Sequence, residues 1–141
     1  MATRTVAQKL QIRVGHRVAA INAPSDYRTL VGGLPEGATV GPFSPSIDVV
    51  HLFVRDRAEL ADQAPRVLAD VGSDTVLWIS YPKRSGGTPT YISRDVGWEI
   101  LRGAGFDPVS QVAIDDTWSA LRFRRDPALR AARAERGAKG Y

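Results

Sequence analysis

The residues best suited to chemistry are Lys83-Arg84-Ser85-Gly86-Gly87, which follow the apolar run Thr75-Val76-Leu77-Trp78-Ile79-Ser80-Tyr81 and Pro82. Two cations, a hydroxyl and glycine N–H groups suit an anion such as a phosphate or a carboxylate. The segment is not a P-loop, because its lysine precedes the glycines, and a solvated surface loop is the plain alternative. Asp115-Asp116 is a carboxylate pair that suits proton transfer or a cation, although adjacent turn residues point apart and turn-forming aspartates are common. Trp118 suits a ligand-stacking wall or a cation–π contact with Lys83 or Arg122, against a purely packing role in a terminal hairpin. Ser80, Ser85 and Ser119 have no evident histidine partner: only His16 and His51 exist, and His51 reads as a core residue. With two histidines and no cysteine, no transition-metal site is expected; no cofactor is expected either.

The elements that must position these groups follow from local pattern. Thr5–Leu10 reads as a helical turn or two, and Arg13-Val14-Gly15-His16 as a turn. Arg17–Asn22 is the first strand, stopped by Pro24, with Ser25 or Asp26 capping a short helix through Tyr27, Leu30 and Val31. Thr39–Phe43 is a short edge or irregular strand, given Pro42 and Pro45. Ile47–Val54 is nearly all apolar, as in a strand covered on both faces. Only Ser44, Pro45 and Ser46 separate these two candidates, too few for an ordinary parallel crossover, so the place of Thr39–Phe43 in the sheet stays open.

Asp56 with Glu59 reads as a capping box. It opens a helix with Leu60, Ala64, Val67, Leu68 and Val71 on one stripe; Pro65 is expected to kink or split that helix, and Gly72 closes it. After the central strand, Ser93 caps a helix from Arg94 to about Arg102. Val109–Ile114 and Trp118–Arg124 form a hairpin about Asp115-Asp116-Thr117. Strand–helix–strand units ending in a hairpin define an α/β fold: a mainly parallel, three-layer sheet with a final antiparallel hairpin.

A chain of 141 residues fits one domain. We read residues 1–125 as that α/β domain, and 126–141 as a basic Ala/Arg-rich tail, helical or frayed. The net charge is +4. The tail contributes half of it, through Arg130, Arg133, Arg136 and Lys139 against Asp126 and Glu135. The body is only mildly basic and lacks aromatic interleaving, so nucleic acid is an unfavoured partner, reachable only through the tail. No apolar run approaches the ~20 residues of a membrane span, and Met1–Val14 has no signal-peptide core. A cytoplasmic protein is expected.

In such a sheet the C-terminal ends of the parallel strands share one rim, where ligands usually sit. That rim collects Asn22, Pro24, Arg55, Tyr81, Lys83, Ser85, Asp116 and Trp118. Alternation puts Trp118, Ala120 and Arg122 on one face and Ser119, Leu121 and Phe123 on the other, so Trp118 and Arg122 are expected to act together. The candidate ligand site is therefore Asn22, Pro24, Tyr81, Lys83, Ser85, Asp116, Trp118 and Arg122. A small anionic ligand or a protein partner is expected there.

The segments Asp48-Val49-Val50, Thr75–Tyr81 and the Asp116–Phe123 hairpin resemble the second half of a class I methyltransferase fold. Pro82-Lys83 and Trp118-Ser119-Ala120-Leu121-Arg122-Phe123 also resemble the uncharacterised bacterial domain-of-unknown-function family 3052. That resemblance implies a fold and no agreed activity. The chain departs from the methyltransferase pattern in lacking the glycine-rich cofactor loop: Asn22-Ala23-Pro24-Ser25-Asp26-Tyr27 has no glycine, and Pro24 has no N–H. An acidic residue closing a second strand, which would hold the cofactor ribose, is also missing. Three readings follow. One is a binding or regulatory module without catalysis. Another is a small-molecule enzyme on the same rim, a degenerate methyltransferase or other transferase, with Lys83 and Asp116 as its ionisable pair. The last is a weak nucleic-acid binder through the tail.

Overall fold

The computed structural model describes residues 5–24, 26–44, 46–69, 71–72, 74–83 and 98–125. They form a single six-stranded sheet with helices on both faces. The chain begins with α1 (Val6–Lys9), capped by Thr5 in a reciprocal pair with Gln8. β1 (Arg17–Ile21), α2 (Tyr27–Leu30), β2 (Thr39–Val40) and β3 (Val49–Phe53) follow. Then come α3 (Arg57–Leu68), β4 (Val76–Pro82), α4 (Glu99–Gly103), β5 (Asp107–Ala113) and β6 (Trp118–Arg124). The strand order is β2-β1-β3-β4-β6-β5. β2, β1, β3 and β4 pair in parallel, and β6 runs antiparallel to both β4 and β5. The expected α/β architecture, parallel with a final antiparallel hairpin, is the observed one.

β2 resolves the crossover difficulty. It is only two residues long and pairs with β1 on the side away from β3. The connection from β2 to β3 thus passes β1, and no helix intervenes among its described residues. This placement makes the order reverse between β1 and β3, because the chain leaves β1 on one side and re-enters on the other.

Strand alternation divides the core into two layers. One face holds Val50, Leu52, Leu77, Ile79, Tyr81, Leu121 and Phe123 under α3 and α4. The other holds Val18, Val49, Phe53, Trp78, Trp118 and Ala120 under α1 and α2. Trp78 fastens α1 to its layer by donating its indole N–H to the carbonyl of Leu10 at 2.9 Å. α3 starts at Asp56, whose carboxylate accepts the Glu59 N–H at 2.8 Å. α3 is unbroken through Pro65, so the expected split does not occur. The proline forgoes one backbone bond, and the buried stripe Leu60, Ala64, Val67 and Leu68 keeps the helix on the sheet. The start of the helix expected from Ser93, and the tail, lie outside the described residues.

Candidate functional site

β1, β3 and β4 end on one rim, as their parallel register requires. Asn22 follows β1 with φ +61°, a left-handed conformation that asparagine tolerates better than most side chains. Pro24 then turns the chain into α2. Arg55 follows β3, and its backbone N–H donates to Glu59 Oε1 at 3.0 Å. The Arg55 guanidinium also lies 3.7 Å from the Glu59 carboxylate while its side chain stays 73% exposed. Trp118 opens β6 beside Pro82 at the end of β4. Asn22, Ala23, Pro24, Arg55, Glu59 and Trp118 line a cleft of about 400 Å³. It lies outside the ends of β1 and β3, at the point where the strand order reverses, which is where open α/β sheets place their ligands.

The remaining expected site residues are distributed differently. Tyr81 is buried on the opposite face of the sheet from Trp118. It packs edge-on against Trp98 at 5.5 Å and accepts from the Gln111 amide at 3.0 Å. The alternation of Trp118, Ala120 and Arg122 on one face is observed, but Trp118 and Arg122 do not act together. Four residues of extended chain separate them by about 13 Å, so Arg122 sits at the far rim and donates to Gln11 Oε1 at 2.8 Å.

Lys83 is at the near rim, with its ammonium donating to the backbone carbonyl of Asp115 at 2.6 Å. Its own N–H donates to the Thr117 carbonyl at 2.7 Å. These bonds tie it to the hairpin turn. Among the ion pairs of the described residues none joins Lys83 to Asp116. The two adjacent aspartates also differ: Asp115 Oδ1 accepts the N–H groups of Thr117 at 2.8 Å and Trp118 at 2.7 Å, whereas Asp116 is exposed. Ser85, with Arg84, Gly86 and Gly87, lies outside the described residues.

Ser80 does have a histidine partner, contrary to expectation. His51 Nε2 is 2.6 Å from Ser80 Oγ, and His51 Nδ1 is 2.8 Å from the Tyr27 hydroxyl. Burial holds the Tyr27 phenol protonated, raising its pKa, and pushes the His51 imidazole down to about 3, so it is neutral. We assign the phenol proton to Nδ1, which leaves Nε2–H to donate to Ser80 Oγ. His51 and Ser80 are both sealed from solvent. The chain of bonds therefore lacks the access a nucleophile needs and acts as a polar tie between α2, β3 and β4. Two polar residues inside otherwise apolar strands were the available signal, since buried polar groups find each other.

No family model and no curated protein matches the chain. Its backbone is similar to those of several solved structures. The DhpI–SAH complex superposes with a TM-score of 0.56 at 12% identity, over 86% of this chain and 83% of that one. A SAM-dependent methyltransferase from Aquifex aeolicus gives 0.51 at 12%, over 84% and 86%. The M1A22 tRNA methyltransferase TrmK of B. subtilis gives 0.51 at 11%, over 89% and 68%. The fold is thus that of a Rossmann-like, methyltransferase-like α/β domain. At these identities the likeness is one of fold.

The rim does not fit S-adenosylmethionine in the manner of the methyltransferase pattern. The loop after β1, from Asn22 to Tyr27, contains no glycine, and Pro24 offers no N–H. β2 is followed by Gly41, whose N–H is engaged by the Val18 carbonyl at 2.9 Å, and no carboxylate closes that strand. The acid at the cleft, Glu59, comes from α3 and is held by the Arg55 backbone.

Proposed function

We propose that this chain is a binding or regulatory module on a methyltransferase-like fold. It takes a small anionic ligand in the cleft between Asn22, Pro24, Arg55 and Trp118. The observation that carries the reading is the position of that cleft at the strand-order reversal, combined with a loop after β1 that has no glycine and in which Pro24 offers no N–H. Arg55 supplies an exposed cation, Asn22 an amide donor and Trp118 an apolar wall. Lys83, held against Asp115, completes the positive side of the rim. Membership of the uncharacterised family 3052 and a cytoplasmic setting belong to the same proposal. Among the described residues no helix is long and apolar enough to cross a membrane.

Thermal-shift titration tests this directly. The full chain is heated with S-adenosylmethionine, S-adenosylhomocysteine, AMP and a sugar phosphate, each at matched ionic strength. An anionic nucleotide or phosphosugar is expected to raise the unfolding temperature, and Arg55→Gln to abolish the rise. A rise with S-adenosylmethionine alone, insensitive to Arg55→Gln, would replace this reading with that of a methyltransferase. No rise with any of the four would remove the small-ligand reading.

A further inference from the structure

We propose that Tyr27 is the positioning residue of the cleft: its hydroxyl bond to His51 holds the Asn22–Pro24 lip in place beside Trp118, and the affinity of the cleft for an anion depends on that bond. The dependence of affinity rests on the anionic-ligand reading above, whereas the ordering of the lip stands without it. The lip has little to hold it by itself. Among the described residues Asn22, Ala23 and Pro24 make no hydrogen bond, and Asn22 is in the left-handed region. What holds the two ends of the lip therefore decides where it lies. One end is β1, fixed by its pairing with β3. The other is the start of α2, a helix of four residues whose N-cap, Asp26, makes no side-chain cap bond. The Asp26 carboxylate accepts instead from the Thr29 hydroxyl at 2.9 Å. So short a helix does not hold itself in water, and Tyr27 is the residue that it buries.

Tyr27 and Trp118 meet the same buried cluster. The Tyr27 hydroxyl is 2.8 Å from His51 Nδ1, and its ring stands edge-on to His51 at 5.4 Å and to Phe53 at 6.2 Å. Phe53 stacks on His51 at 4.2 Å and meets Trp118 edge-on at 5.4 Å. Two sides of the cleft are thus referred to one set of rings, the lip through Tyr27 and the Trp118 wall through Phe53. Ring contacts alone tolerate sliding. A buried hydrogen bond has direction and is costly to leave unmade, so the phenol fixes where α2 begins. A lip released from it would have to be ordered on binding, and the apparent affinity would fall with the fraction of molecules that hold the lip in place.

Backbone ¹⁵N relaxation of the ligand-free full chain, with titration of AMP at fixed ionic strength, tests the proposal. In the parent, the Asn22 and Ala23 amides are expected to be as rigid as the strands, with order parameters of about 0.85, and in Tyr27→Phe to fall below about 0.6. AMP affinity is expected to drop by roughly five-fold or more in Tyr27→Phe. Ser80→Ala, which breaks the other end of the same chain of bonds, is expected to lower the unfolding temperature yet leave both the lip and the affinity as in the parent. Should Tyr27→Phe fail to fold, His51→Phe, which keeps a ring on Phe53 and removes the acceptor, decides. A lip as rigid in Tyr27→Phe as in the parent overturns the proposal. So does an unchanged AMP affinity, or a lip that Ser80→Ala loosens equally. If the parent takes up no AMP, the anionic-ligand reading and the affinity dependence fall together, and the order parameters alone decide whether Tyr27 positions the lip.

Discussion

Ser80 Oγ and His51 Nε2 are 2.6 Å apart in the middle of the sheet, diagonal neighbours on adjacent parallel strands. His51 is further clamped by stacking on Phe53 at 4.2 Å and by the Tyr27 hydroxyl. A neutral imidazole fits this setting and a charged one does not, because the site is desolvated and presents no carboxylate among its hydrogen-bond partners.

The protein should therefore lose stability as the pH falls through the histidine range. Unfolded, the imidazole takes a proton near 6.5; folded, only near about 3. Between these values the unfolded chain binds a proton that the native state refuses. The contribution is fully present above 6.5 and is lost on descending toward 3, at about 1.4 kcal/mol per pH unit. Urea unfolding between pH 7 and 4.5 reads this slope. In His51→Gln it should flatten by about 1 kcal/mol per unit, and parallel slopes for the two proteins would mean that His51 is not the group responsible. At pH 7, Tyr27→Phe leaves Nδ1 without its donor and should cost about 1–3 kcal/mol.

Asn22 should show a backbone preference of its own. Its φ of +61° suits glycine, is tolerated by asparagine and is disfavoured for alanine. Asn22→Ala should cost about 1 kcal/mol, whereas Asn22→Gly should stay within about 0.5 kcal/mol of the parent. Thermal unfolding of both variants measures this. Equal midpoints for the two would show that the loop after β1 is not held left-handed in solution.

The two neighbouring aspartates should separate cleanly. Asp115→Ala removes the acceptor for two backbone N–H groups at the turn that seats Trp118, and should cost about 1–2 kcal/mol. Asp116→Ala should change stability by less than about 0.5 kcal/mol. Chemical denaturation of the pair is the check, and a larger loss at Asp116 would assign the turn to the wrong carboxylate.

Read along the chain alone, the local patterns located β1, β3, β4 and the hairpin. They also predicted the Thr5 turn and the Asp56 cap, and the division of Trp118 and Ala120 from Leu121 and Phe123 between two faces. The common rim of Asn22, Arg55 and Lys83 followed as well. All of these rest on short-range physics: a side-chain period of two in strands, capping within one helical turn, and the shared polarity of parallel strands. The rise of a strand, about 3.3 Å per residue, already separates Trp118 from Arg122 along β6.

Other features depended on tertiary structure. The partnership of His51 with Ser80 and Tyr27 joins residues 24 and 29 positions apart, and only cross-strand register and the docking of α2 bring them together. Tyr81 and Trp118 share a rim in sequence logic yet are divided by the sheet, because facing parity is set by which strand pairs with which. β2 finds its place outside β1, and Lys83 its carbonyl partner, through pairings that no local pattern encodes.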